Sequence, residues 1–290
     1  MTWYITSRDD YLALLAAEEG EIPAPERRGH AETAAAAFVK PTNAERMAVI
    51  VDQLTAAGLP HEVQTFEGGN QRTGSMAGSN VVVTLGDGPK DIVLTAHYDA
   101  VKLRDGTISH GVVDNAASVV GLIEAAKILR AKDLNHRVRV ILFDQEELGL
   151  IGARKWIEAH GLANVAAVVN SDVAGYGDTM MYGQNNGPQS AFVTRAVQAL
   201  CAERALQCVG YPMYPPSDDR AFSAAGAPVV SLGFQDEIGA HQMWLAFNGG
   251  EANGLAEGFV PLANEWWHYD WAEWRRYPVV DVPLEDVTAG

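Results

Sequence analysis

The chain has 290 residues, 48% apolar and 20% charged, with a formal net charge of -16. That length suits one large core or two modest domains, and the absence of a long polar tract excludes a disordered chain. The acidity argues against nucleic acid and anionic membrane as partners, and no apolar run reaches the roughly 18 residues that a membrane span needs.

Residues 1–22 carry Arg8, Asp9, Asp10, Glu18 and Glu19 instead of a basic start and an apolar core, so they do not read as a signal peptide. Residues 31–58 read as mostly helix, as Ala34 to Phe38 and then Asn43 to Ala57, ending at Gly58-Leu59-Pro60. Residues 61–67 and 79–86 are strand-like, with loop signals at Gly68-Gly69-Asn70 and from Gly74 to Ser79. Asp91 to Ala96 is a buried strand with His97 at its carboxyl end. Asn115 to Ala131 reads as a helix, its apolar stripe formed by Val119, Leu122, Ile123 and Ala126. The strand from Arg137 to Phe143 ends at Asp144, and the helix from Leu148 to His160 closes on Gly161. The strand from Val165 to Asn170 delivers Asp172, Pro188 to Cys208 reads as a helix, and Pro228 to Phe234 as a strand.

The only two cysteines, Cys201 and Cys208, fall on one predicted helix about 10 Å apart along its axis, too far to bridge. With no signal peptide and no disulfide framework, the expected location is cytoplasmic and reducing. The organisation expected is a single catalytic domain over residues 1–290. It has an N-terminal helical segment at about 1–60 and a tryptophan-rich insertion or lid at about 235–275. That insertion holds Trp244, Trp266, Trp267, Trp271 and Trp274, and would either wall a pocket or form the interface of a homo-oligomer.

Strands alternating with helices predict an α/β fold with a largely parallel sheet covered on both faces, and such sheets bind ligands at the carboxyl ends of their strands. His97, Asp99, Glu146, Glu147 and Asp172 all fall there, and Asp114 stands at the mouth of a helix. Carboxylates brought together repel one another unless a cation holds them, so the pattern points to a metal site. Imidazole and carboxylate ligands suit zinc, with cobalt or manganese as substitutes. His97 would ligate through one ring nitrogen while Asp99, two residues on, accepts the other ring N–H and fixes the tautomer. Asp114 is placed to bridge two cations. Of the adjacent pair Glu146 and Glu147, one would bind metal and the other take a proton from metal-activated water.

Four blocks carry a more specific resemblance. They are Thr95-Ala96-His97-Tyr98-Asp99, Gly111-Val112-Val113-Asp114-Asn115-Ala116-Ala117-Ser118, Phe143 through Gly152 (FDQEELGLIG) and Asn170-Ser171-Asp172. In this order, over roughly residues 79 to 235, they resemble the signature blocks of the co-catalytic zinc aminopeptidase family, of bacterial leucyl-aminopeptidase type. The resemblance implies a three-layer α/β/α sandwich with a central mixed, largely parallel sheet, and a hydrolase that removes N-terminal residues from peptide or aminoacyl substrates. It implies two zinc ions per chain. His97, Asp114 and Asp172 would hold one, Asp114 bridging; Glu147 and a later histidine would hold the other. Glu146 would be the general base and Asp99 would orient His97.

The family shows a His-Thr pair near the C-terminus. This chain offers His268-Tyr269-Asp270 and Ala240-His241-Gln242, neither with the threonine, and His268 is preferred because Asp270 follows it. Tyr214-Pro215-Pro216-Ser217-Asp218-Asp219 is similar to the family's Ser-Asp-His block with Asp219 in place of histidine, and by that match Tyr214 would polarise the substrate carbonyl. The alternatives to an aminopeptidase are a single-zinc glutaminyl cyclase on the same scaffold, suggested by Trp267-His268, and a catalytically silent peptide-binding relative.

Overall fold

The computed structural model describes residues 34–102, 106, 108–175, 177, 179–184, 186–212 and 214–235, together with the backbone of two strands at 259–262 and 265–271. Helix α1 (Asn43–Ala56) is followed by the hairpin β1 (His61–Asn70) and β2 (Gly74–Leu85), then by β3 (Asp91–His97). A π-turn at Val112–Ala116 leads into α2 (Ala117–Arg130), then β4 (Arg137–Phe143), α3 (Ile151–His160) and β5 (Val165–Ser171). Next come β6 (Thr179–Gly183), α4 (Ala191–Glu203), β7 (Cys208–Tyr211), α5 (Asp219–Ala224) and β8 (Val229–Gln235). The strands β9 (Phe259–Leu262) and β10 (Glu265–Trp271) pair antiparallel in a separate two-stranded sheet.

The main sheet has eight strands in the order β1-β2-β4-β3-β5-β8-β6-β7. Its centre, β4-β3-β5-β8, is parallel, while β1-β2, β2-β4 and β6-β8 pair antiparallel. The layering follows from alternation within the strands. Val81, Val83, Val140 and Leu142 point to one face, where Ile50 and Leu54 of α1 and Val119 and Ile123 of α2 cover them. Val82, Ile141 and Phe143 point to the other, against Ala153 and Trp156 of α3 and Phe222 of α5. Two-sided burial explains why these strands read as continuous apolar runs. The result is the α/β/α arrangement expected.

Successive strands leave β3 in opposite directions, β4 pairing on one side and β5 on the other. The carboxyl ends of these three neighbours therefore open on a crevice at a switch in strand order, where α/β sheets bind ligands.

Three sequence readings need correction. The glycines around residues 68–79 do not mark a loop; β1 and β2 run on to Asn70 and Gly74. Gly68 and Gly78 instead make room for Gln145, whose Oε1 accepts the Gly69 N–H (2.8 Å) and whose Nε2 donates to Ala77 O (3.2 Å). The predicted helix from Pro188 to Cys208 stops at Glu203, and Ala205 turns the chain at φ 50°. Cys208 therefore opens β7 and comes back to Cys201 at a Cα–Cα distance of 6.2 Å, forming a disulfide. The helix-axis separation used to exclude that bond does not exist, and the reducing-compartment expectation loses that support. The strands β6 and β7 and the short helix α5 were not read from sequence. No helix among the described residues is long and apolar enough to cross a membrane.

Candidate metal centre

His97 ends β3 and is buried, its ring flanked on both sides by carboxylates. Nε2 lies 3.1 Å from Asp114 Oδ1 and 3.2 Å from Asp172 Oδ1, and Nδ1 lies 3.3 Å from Asp99 Oδ1. Asp99 does more than face the ring. Its Oδ1 accepts the Glu146 N–H (3.0 Å) and its Oδ2 the Glu147 N–H (3.2 Å), which ties the end of β3 to the turn after β4. Asp114 sits in the π-turn, Asp172 directly follows β5, and Glu146 and Glu147 directly follow the Asp144-Gln145 pair at the end of β4. Gln145 and Val173, each beside a site carboxylate, take φ of 60°, a conformation rare for residues other than glycine.

Two groups of ligand atoms converge within 4.8 Å: those of His97, Asp114 and Asp172, and those of His97, Glu146 and Glu147. Burial raises the Glu146 pKa well above the ordinary carboxylate range; His97 opposes the shift, while Glu147, Asp218 and Asp172 add to it. Burial works against a charged His97, but Asp172 and hydrogen bonds to Asp114, Asp172 and Asp99 outweigh it and hold its pKa well above the usual value. One imidazole among this many close oxygens is a donor set that a divalent cation fits. Its charge would offset the mutual repulsion, and oxygen and nitrogen donors suit zinc.

Tyr214 is buried beside the same crevice, not on a surface turn. Its ring meets Tyr211 edge-on at 5.4 Å, and burial, followed by Asp172, Tyr211 and Asp219, raises its pKa. A Cβ on Gly233 would come within 2.6 Å of the Tyr214 hydroxyl and 2.7 Å of Asp172 O, which places that hydroxyl at the strand end near Asp172. The position of Asp219 is occupied by a buried carboxyl whose Oδ1 accepts the Ser217 N–H at 3.0 Å, and burial brings its pKa to about 7. The backbone of His268 lies in β10, while its side chain and all of His241 lie outside the described residues.

Three groups at the centre had no role assigned from sequence, although Gln145 and Asp218 stand within the blocks quoted above. Asp218 is fully buried, neither carboxylate oxygen has a hydrogen-bond partner among the described residues, and burial raises its pKa, with His97 opposing. Gln145 pins the Glu146 turn to the β1-β2 hairpin. Arg46 is buried on α1, its Nη2 donating to Ser109 O (2.8 Å) and His110 O (2.6 Å). The signal for Arg46 was present: it keeps phase with Ile50 and Leu54 on the buried stripe of α1.

Residues 80–271 match the model of Peptidase family M28. Aminopeptidase YwaD of Bacillus subtilis is 33% identical over 70 residues, which is 24% of this chain and only 14% of that protein's length. Among solved structures, the zinc aminopeptidase BSAP of Bacillus subtilis superposes with a TM-score of 0.62 at 14% identity, covering 72% of this chain and 85% of that one. A glutaminyl cyclase of Porphyromonas gingivalis gives 0.61 at 19%, covering 73% and 85%. A Zn-dependent exopeptidase of Parabacteroides distasonis gives 0.59 at 17%, covering 71% and 83%. These structural likenesses establish a shared fold.

Proposed function

We propose that this chain, which belongs to Peptidase family M28, is a zinc-dependent aminopeptidase. One observation carries the reading: the ligand atoms of His97, Asp114 and Asp172 converge within 4.8 Å, and so do those of His97, Glu146 and Glu147. His97, Asp114 and Asp172 would hold one zinc, with Asp114 bridging to a second held by Glu147 and His268. Zinc bound there would polarise the scissile carbonyl and lower the pKa of a water.

The protein's own groups account for the rest. Asp99 holds the His97 ring and both glutamate N–H groups, so ring and turn move as one. Glu146, with its raised proton affinity, takes a proton from the attacking water and delivers it to the departing amine as the C–N bond breaks. The Tyr214 hydroxyl donates to the carbonyl oxygen as negative charge develops on it. The excess of carboxylates favours a substrate with a free, positively charged α-amine.

The test is hydrolysis of a panel of aminoacyl anilides, with zinc counted on the same sample and a chelator control, for the wild type and Glu146→Gln. The expected result is about two zincs per chain, chelator-sensitive release, and a roughly 10²–10⁴-fold lower rate for the variant with zinc retained. Wild-type turnover by Glu146→Gln would overturn the general-base role; zinc binding without release in either protein would favour a binding relative.

A second reading is glutaminyl cyclisation. It is favoured by the strand that places Trp266 and Trp267 directly before His268, and by the cyclases that share the fold. One zinc per chain and ring closure of N-terminal glutamine in the same assay would select it.

A further inference from the structure

Arg46 projects from the first turn of α1 and has no exposed surface, although an arginine is rarely buried without a charged partner. Its Nη2 donates to two successive carbonyls, Ser109 at 2.8 Å and His110 at 2.6 Å. Gly111 follows at φ 58°, and a Cβ there would lie 2.8 Å from Arg46 Nη1 and 2.9 Å from Asp114 O, so guanidinium, turn and the Asp114 backbone are in close packing. Burial lowers the Arg46 pKa, while Asp99, Asp114 and Glu147 counter it, which places the cation within the field of the carboxylate cluster. Three residues earlier on the chain, Asn43 Nδ2 donates to Asp144 Oδ1 at 3.1 Å, two residues before Glu146. The start of α1 thus grips both loops that carry the cluster.

We infer that Arg46 is a positioning residue of the metal centre: by holding the Ser109 and His110 carbonyls it fixes the turn that presents Asp114. The inference rests on reading the cluster as a metal site. Direct repulsion between guanidinium and zinc would act the other way. The clamp outweighs it, because Arg46 touches the loop carbonyls rather than the ligand atoms, and three carboxylates of the cluster already face its charge. Losing the clamp takes the guanidinium from two half-buried carbonyls and frees the turn that sets Asp114 beside His97.

The experiment is competition titration of the chelated full-length protein with zinc, run beside thermal unfolding with and without zinc, for the wild type, Arg46→Met and Arg46→Lys. The expected result is zinc binding about 10-fold weaker or worse in Arg46→Met, the scale of loss for groups that orient ligands. The zinc-induced rise in Tm should shrink with it, because stabilisation by a ligand follows its affinity. Arg46→Lys, which keeps a charged donor, should recover most of the binding. A purely structural role would lower Tm equally with and without zinc and leave the affinity unchanged, and that outcome overturns the inference, as does tighter binding by Arg46→Met. If Arg46→Met does not fold, Arg46→Gln replaces it. Weak binding by Gln with recovery by Lys supports the clamp, and equal binding by both overturns it. A wild type that takes up no zinc would instead remove the metal-centre reading on which the inference stands.

Discussion

Replacing Asp99 with asparagine should expose how the centre is tied together. The side chain is buried and makes two hydrogen bonds to backbone N–H groups, from Glu146 at 3.0 Å and Glu147 at 3.2 Å, while facing His97 Nδ1 at 3.3 Å. An amide can keep one of these bonds through its oxygen, but its NH2 then faces a second N–H donor. One charge-assisted bond is lost and a buried donor is left unpaired, at a cost of roughly 1.5–3 kcal/mol. Relief of carboxylate repulsion offsets part of this, since Asp99 also raises the Asp144 pKa. The net loss in the metal-free protein should therefore sit near the lower figure, a fall in Tm on the order of 3–6 °C for a domain of this size. Zinc affinity should fall about 10- to 100-fold, because with the amide oxygen kept toward His97 and Glu146, the Glu147 N–H loses the anchor that holds its turn, while His97 Nδ1 retains the Asp99 backbone carbonyl at 3.3 Å. Urea unfolding of the chelated protein and a zinc competition titration measure the two effects separately. A folded Asp99→Asn protein with wild-type midpoint and wild-type zinc affinity would refute the linkage between the end of β3 and the glutamate turn.

Three further outcomes are expected. Gly152→Ala forces a Cβ against the Asp144 carbonyl and to within 2.6 Å of Asn80 Oδ1; with backbone unable to give way, it should cost about 1–3 kcal/mol in denaturant unfolding and lower zinc affinity by shifting the Asp144–Glu147 turn. Asp219 has its pKa raised by burial from 3.8 to about 7, so the folded state holds a proton that the unfolded chain releases; its contribution is favourable near pH 4 and is lost as pH rises toward 7. Asp219→Asn keeps the oxygen that accepts from Ser217 and should flatten that decline, by a few kcal/mol at most; an unchanged slope of stability against pH in the metal-free protein would refute it. Cys201→Ser opens a loop with a sequence separation of 7 at the sheet edge and should cost about 2 kcal/mol while leaving zinc affinity alone, read from urea unfolding with and without reductant.

The central strands were legible because their apolar runs are buried on both faces and bounded by turns: in Arg137–Phe143 the stretch Val140-Ile141-Leu142-Phe143 is buried throughout, while Arg137 and Arg139 lie at the opposite end, paired with Asp91. The convergence of His97, Asp99, Asp114, Glu146, Glu147 and Asp172 on one crevice was legible for a related reason: charged residues directly after buried runs have little structural cause to be there, and parallel strands bring their carboxyl ends together. What failed was whatever depends on a partner remote in sequence. Gly68 and Gly78 read as loop markers because a glycine's use depends on what approaches it, and only the folded chain brings Gln145 between them. Cys201 and Cys208 were placed on one helix because the reversal at Ala205, a residue without turn chemistry, is imposed by the pairing of β7 with β6. Short strands such as β6 and β7 carry too few residues for a periodic signal, and their existence is decided by the sheet edge they join.

Arg46 and Asp218 mark the same boundary within the site. Sequence determined which side chains have the chemistry to hold a cation, and on which strand ends they sit. The tertiary structure decided their charge balance: an arginine from α1 and a carboxyl just ahead of α5 reach the cluster from elements far away in the chain. Electrostatic energy in a buried site is a sum over everything packed around it, and that sum exists only once the layers have closed.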